Sequence, residues 1–152
     1  MRQAMVGGAA AAALVVTSYA IWSFTRPGPI VPMHTQLRHD DFLFSVNGVR
    51  SATAAHDIKR MTVDILVVNQ AKRVGYNWRD TIAFVEDESG RRYAPVSKNA
   101  FTLSPGESRI ASVEFQLPKA IAKPVVRFWD GIYMGDAFDA AKYARTRVSI
   151  AP

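Results

Sequence analysis

The stretch that decides the fold reads MTVDILVV and runs from Met61 to Val68. Its apolar residues recur at every second position, as they do on one face of an extended chain. They are Met61, Val63, Ile65 and Val67. The stretch from Ile110 to Leu117 repeats this alternation with polar residues between the apolar ones. Each stretch therefore predicts a strand with one face in a core and one face in water, which is typical of antiparallel sheets.

Further strands are expected on both sides of these two, separated by turn residues such as Asp87–Gly90 and Ser104–Glu107. The predicted strands cover residues 42–46, 61–68, 81–86, 91–95, 110–117, 125–129 and 145–150. Only residues 136–144 favour a short helix. About seven short strands without a longer amphipathic helix between them predict an all-β sandwich, and they argue against parallel α/β folds with their nucleotide sites.

The beginning of the chain has a different composition. From Ala4 to Phe24 it carries no charge, and these 21 residues would span about 31 Å as a helix, the thickness of a bilayer's hydrocarbon core. The stretch is also compatible with a secretory signal cleaved after Ala20, because Ser18-Tyr-Ala20 has the small-x-small pattern. Both interpretations export the domain. The predicted organisation is an anchor or uncleaved signal at 1–26, a proline-rich spacer at 27–40 and the sandwich at 41–152.

The anchor interpretation predicts partners in the membrane. Gly8 and Ala12 are one helical turn apart, and side chains of this size let a second transmembrane helix approach closely. Arg2 favours an N-terminus inside. We therefore expect a single-pass protein of the cytoplasmic (inner) membrane, held by residues 4–24, whose C-terminal domain lies on the extracytoplasmic (periplasmic) side.

Composition argues against several classes of chemistry. The chain has no cysteine, and its formal net charge of +6 comes from basic residues that are scattered rather than arranged in a stripe, so no nucleic acid partner is expected. His34, His39 and His56 lie in the spacer or a predicted loop, without the spacing of metal ligands. Three aspartates are possible calcium ligands but lack the spacing of a known calcium loop. They are Asp130, Asp136 and Asp139. We predict no catalytic, cofactor or metal residues, no small-molecule substrate, and a protein that is not an enzyme.

Four segments carry a resemblance to a known family. They are Val63–Ala71, Asp87–Tyr93, Leu103–Ser108 and Val113–Lys119. In this order they resemble a bacterial family of immunoglobulin-like domains of unassigned function, membrane-anchored or secreted, whose fold relative is a secreted immunoprotective antigen. The resemblance covers roughly residues 42–119. It implies an immunoglobulin-like antiparallel β-sandwich and a binding or scaffolding role.

The chain departs from that family after Pro124, where large apolar and amphipathic side chains are concentrated. We expect Val126 and Phe128 to point inward, with Trp129 on the opposite face. Such side chains either plug the open end of a sandwich or form an interface. The predicted partner-binding residues are Trp129, Ile132, Tyr133, Met134 and Phe138, and Tyr143 lies in the same stretch.

Two functions follow as expectations. The first is a non-enzymatic, membrane-anchored extracytoplasmic interaction or scaffolding module, acting as an accessory subunit of a larger membrane protein complex. The second is a secreted or periplasmic β-sandwich protein that binds a small ligand or a metal after release by cleavage behind Ala20.

Overall fold

The computed structural model describes residues 28–131 and 142–151. They form eleven strands, a 3-10 helix (Asp80–Ile82) and helical residues 142–145, which we call the helical turn. The strands are β1 (Ile30–Val31), β2 (Leu37–His39), β3 (Phe42–Ala55), β4 (Ile58–Asn69), β5 (Tyr76–Arg79), β6 (Ala83–Glu86), β7 (Arg92–Tyr93), β8 (Ala100–Leu103), β9 (Ser108–Pro118), β10 (Val125–Phe128) and β11 (Arg147–Ser149).

One sheet has the strand order β2-β3-β4-β9 and is antiparallel throughout. It contains both stretches of strict alternation, and the predicted faces are confirmed: Val63, Ile65 and Val67 are fully buried on β4, as are Val113 and Phe115 on β9. Because β4 pairs with β9 from Ile58 to Val68 without a register shift, the inward side chains of the two strands form continuous rows.

The second sheet has the order β1-β11-β10-β6-β7, in which β1 runs parallel to β11 and the other pairs are antiparallel. Strands β5 and β8 pair as a separate ribbon. The inward side chains of all three sheets meet in one core, whose largest fully buried members are Trp78, Phe44, Phe115 and Phe128. The all-β sandwich predicted from the sequence is therefore confirmed.

Both predicted turns form. Gly90 and Gly106 have φ angles of 81° and 80°, a conformation that glycine adopts at little cost. In the first turn the Asp87 carboxylate accepts hydrogen bonds from the Ser89 hydroxyl and the Arg91 amide. The hydrogen bond from Ser89 holds the pKa of the Asp87 carboxyl below its usual range. Protonation of Asp87, which would weaken this hairpin, therefore needs a lower pH than protonation of an ordinary aspartate.

A buried asparagine joins the ribbon to the four-stranded sheet. Asn69, at the end of β4, is fully buried. Its side-chain amide donates to the carbonyls of Val74 and Leu103, and its side-chain oxygen accepts from the Ala71 amide. These bonds use both N–H groups and the oxygen of the side-chain amide. Asn69 therefore fixes where the chain leaves β4 and where β8 ends.

Several features differ from the sequence-based predictions. The described residues contain eleven strands instead of about seven, since the predicted set does not include β1, β2, β5 and β8, each of two to four residues. Strands β1 and β2 lie within residues 27–40, the stretch predicted to be a spacer, so the sheets begin before residue 41. Of the predicted 136–144 helix, residues 142–144 are described and are helical, and residues 136–141 lie outside the described residues.

The N-terminal predictions concern residues that are not described. Among residues 28–131 and 142–151, no helix is long and apolar enough to cross a membrane. The predicted anchor and the pair Gly8 and Ala12 lie outside these ranges.

Candidate partner-binding surface

Trp129 follows β10 directly and lies on the outer side of the five-stranded sheet. Val126 and Phe128 are fully buried, whereas Trp129 is 43% exposed, as the alternation of β10 predicts. The Trp129 amide donates to the Ile82 carbonyl at 2.8 Å, which extends the pairing of β10 with the segment before β6 by one residue. The exposed indole is therefore held by a backbone that belongs to the sheet.

Trp129 lines an open cavity of about 420 Å³ on this outer face. The residues around it come from the 3-10 helix, from β6 and β7, from β10 with the residue that follows it, and from the helical turn. They are Thr81, Phe84, Arg92, Arg127, Trp129 and Ala144. We call them the arginine–tryptophan surface.

Two arginines flank one aromatic ring in this surface. The guanidinium carbons of Arg92 and Arg127 lie 4.9 Å and 5.4 Å from the centre of the Phe84 ring, within the range of cation–π attraction. Arg127 Nη1 donates to Glu86 Oε2 at 2.7 Å, and Nε and Nη2 donate to the Ala144 carbonyl. Arg127 is thereby fixed between β6 and the helical turn.

Arg92 has more freedom than Arg127. Its Nε lies 3.5 Å from Glu86 Oε2, and its side chain is 64% exposed, whereas that of Arg127 is 16% exposed. The two guanidinium groups and the Glu86 carboxylate that they contact carry a net charge of +1 among the described side chains. Glu86 is buried at the end of β6, where Arg127 reaches it from β10.

A cluster of buried polar side chains lies on the inner side of the same segment. His39 on β2 is fully buried, and its Nδ1 lies 2.9 Å from Oδ1 of Asp130, whose side chain is 3% exposed. The hydroxyl of Tyr76 donates to the other Asp130 oxygen at 2.7 Å. The Tyr143 ring stacks on the imidazole, with 4.6 Å between ring centres. His39, expected in the spacer or a loop, instead lies at the end of strand β2.

The inner cluster and the outer surface share two short pieces of chain. Asp130 points inward next to Trp129, and Tyr143 is buried next to Ala144, which lines the cavity. One imidazole thus contacts residues on both sides of the 132–141 segment. We infer that His39 positions Asp130 and Tyr143 and, through them, the neighbouring Trp129 and Ala144 of the cavity wall.

Of the residues predicted to bind a partner, the structure describes Trp129. Ile132, Tyr133, Met134 and Phe138 lie outside the described residues, so those predictions stay predictions. Asp136 and Asp139 lie outside as well, while the Asp130 carboxylate is held by His39 and Tyr76. Within residues 28–131 and 142–151, no three His, Asp or Glu side chains are grouped to hold a metal ion.

Sequence reasoning missed His39 and the two arginines as members of a site. The Leu37-Arg-His39 alternation followed by Asp40-Asp41 was a usable signal, because aspartate tolerates the positive φ of two-residue hairpin turns. Asp40 has a φ of 54° in such a turn, where His39 pairs with Phe42. No local pattern indicates that Arg92, Arg127 and Glu86 meet, since they come from three strands.

Known proteins share the fold of this chain. No family model and no curated protein sequence matches it. The structure of MPT63, a secreted protein from Mycobacterium tuberculosis, is similar with a TM-score of 0.51 and 14% identity, over 69% of this chain and 92% of that one. An uncharacterized β-sandwich protein from Clostridium difficile 630 has a TM-score of 0.54 and 9% identity, over 82% and 95%. At these identities the similarity defines a β-sandwich and nothing finer.

We predict that Asp130→Asn destabilises the chain by about 2–4 kcal/mol, because an amide replaces one of the two oxygens that His39 and Tyr76 contact in a buried place. Urea unfolding of the full chain in mild detergent, followed by tryptophan fluorescence, measures this. The matched control is Asp57→Asn, at a side chain that is 91% exposed, which we expect to stay within about 0.5 kcal/mol of wild type. Equal stabilities of the two variants would contradict the role given to the cluster.

Proposed function

We propose that this chain is a non-enzymatic interaction module in which an immunoglobulin-like β-sandwich presents the arginine–tryptophan surface to a protein partner. The observation that carries the proposal is the exposed Trp129 beside Arg92, on backbone fixed by the sheet. Tryptophan and arginine are the residue types most enriched among the side chains that dominate binding energy. A rigid support also lowers the entropy lost on association.

The chemistry of the surface indicates what it would bind. Arg92 lies over Phe84 and contacts Glu86 through Nε, so its two Nη groups could donate a pair of hydrogen bonds to a carboxylate of the partner. Trp129 would receive an apolar group next to that carboxylate. The expected partner segment is therefore acidic and contains at least one large apolar side chain.

Burial supports binding over catalysis. His39, Asp130 and Tyr76 are residue types that enzymes use for proton transfer, but the His39 and Asp130 side chains are 0% and 3% exposed and Tyr76 is 2% exposed. A substrate would need to open the core to reach them. Their contacts instead serve the placement of the neighbouring surface.

The location of the module is part of the same proposal. We expect it at the extracytoplasmic side of the inner membrane, tethered by residues 4–24 and acting as an accessory subunit of a membrane protein complex. The motivation is the length and composition of that segment. Gly8 and Ala12 would then face a helix of the partner.

A small-ligand-binding protein released by cleavage after Ala20 is the second candidate. The cavity volume of about 420 Å³ falls within the range of small-molecule sites. MPT63, similar in fold, is a secreted protein. The two candidates differ in whether Trp129 and Arg92 contact a protein or a small anion.

We predict that Trp129→Ser weakens partner binding by about 30-fold, the equivalent of about 2 kcal/mol at an interface centre, while the melting temperature changes little. Quantitative co-purification of the full chain with membrane proteins in mild detergent measures the first effect. Ile110→Ser is the matched control, since Ile110 is also exposed (55%) but lies on β9 of the other sheet. A loss of the same proteins with both variants would refute the assignment of this surface.

We also predict that the full chain stays in membranes washed with alkaline carbonate and begins at Met1. The reason is that an apolar helix of about 20 residues cannot leave the bilayer without exposing its side chains to water. N-terminal sequencing of the washed pellet checks both points. Release into the wash with a mature N-terminus at Ile21 would favour the secreted alternative.

A further inference from the structure

Strand β3 is longer than the strand that covers its outer edge. Along one edge it pairs with β4 from Phe42 to Ala55, but along the other β2 pairs only with Phe42, Leu43 and Phe44. One more hydrogen bond reaches that edge, from the His34 amide to the Val46 carbonyl. Beyond the register shift between Val46 and Gly48, the edge continues to the hairpin turn.

The pairing pattern identifies which backbone groups face this edge. In an antiparallel sheet the N–H and C=O of successive residues point alternately to the two neighbouring strands. Asn69 and Asp57 bond to the β9 side, so the odd-numbered residues of β4 face β9 and the even-numbered ones face β3. Opposite the even-numbered residues lie Gly48, Arg50 and Ala52, which therefore bond to β4.

Val49, Ser51 and Thr53 consequently direct their N–H and C=O groups to the outer edge. Among residues 28–131 and 142–151, no backbone hydrogen bond to these six groups is present. The opposite edge of the sheet differs, because β9 is partly covered by the bridge between Pro95 and Phe115 and by the Val96 amide.

Between its two register shifts, the edge has few of the features that protect edge strands from pairing. Between Val49 and Thr53 there is no proline or lysine, the residues that natural edge strands use to block association. Arg50 is the only charge, and it is held by Asp64 on β4 with 3.0 Å between Nη2 and Oδ1. The side chains of residues 51–54 are small and exposed. Register shifts at Val46/Gly48 and Thr53/Ala55 bound the window at both ends.

We propose that this window binds a second copy of the chain by antiparallel pairing of β3 with β3, centred on Ser51. The proposal rests on the backbone pattern and is independent of the function assigned to the arginine–tryptophan surface. The occupant is inferred from complementarity: a second copy presents the same five residues, the same unpaired groups and the same absence of free charge.

Hydrogen bonding and charge select this register. With Ser51 opposite Ser51 of the second copy, Val49 lies opposite Thr53, and each of the three bonded pairs exchanges two hydrogen bonds. All six outward groups of each chain are then used. Arg50 lies opposite Ala52, so the two arginines do not face each other. If the pairing were centred on Arg50, the Arg50 side chains of the two copies would lie opposite each other, which is unfavourable for like charges. The product is one continuous sheet across a two-fold axis.

Cysteine cross-linking of the full chain in mild detergent tests the register, and the chain has no cysteine of its own. Directly opposed residues of a bonded pair have Cα atoms about 5.5 Å apart, inside the disulfide range. Ser51→Cys should therefore form a disulfide-linked dimer under mild oxidation. Ala52→Cys is the matched control, since two copies of residue 52 would lie roughly 8 Å apart. We expect at least about tenfold more dimer from Ser51→Cys; equal yields, or none, overturn the proposal.

Charged substitutions at Ser51 test the same pairing without oxidation. Ser51→Lys and Ser51→Glu should each weaken self-association by about fivefold, because like charges would lie directly opposite each other. An equimolar mixture should associate at least as well as wild type. Sedimentation velocity of the full chain in detergent measures the masses. The proposal is overturned if the wild type forms a dimer that both variants also form, as association through residues 1–27 would give. It is also overturned if the wild type is a monomer at every concentration.

Discussion

The contact between His39 and Asp130 joins strand β2 of one sheet to the end of β10 in the other. It lies inside an aromatic cluster, since Tyr143 stacks on the imidazole and also contacts Phe44 and Phe128. Removing polar groups from water is unfavourable unless they are paired. The buried Asp130 carboxylate is therefore stable where it contacts both His39 and Tyr76, and these contacts hold the three side chains in place.

The outer surface depends on this inner contact through chain connectivity. Trp129 precedes Asp130, and Ala144 follows Tyr143, so fixing the two inward side chains also fixes two residues of the cavity wall. Arg127 adds a second connection, because it donates to the Ala144 carbonyl while contacting Glu86. A surface supported from both sides loses little conformational freedom on binding, which is what an interaction module requires.

The long strands were predictable from sequence because their burial follows a strict period of two over eight or more residues. Both glycine turns were predictable as well, since Gly90 and Gly106 adopt positive φ angles. Strands β5 and β8 were not, because four residues are too few to define a strand even where burial alternates, as it does on β5. The site was predictable only at Trp129. His39, Asp130 and Arg127 are distant in sequence, and their meeting is a product of the sheet order, which local patterns do not contain.

Native-state hydrogen exchange of His39→Leu, followed residue by residue by NMR of the full chain in detergent, tests the central claim most directly. The Trp129 amide bonds to the Ile82 carbonyl and the Thr146 amide to the Lys142 carbonyl, so these amides report on the chain next to Asp130 and next to Tyr143, the two residues that His39 contacts. We predict that both exchange faster in the variant, while the Val96 amide, bonded to the Glu114 carbonyl across the molecule, keeps its protection. Unchanged protection at Trp129 and Thr146, or an equal acceleration at all three amides, would contradict the account.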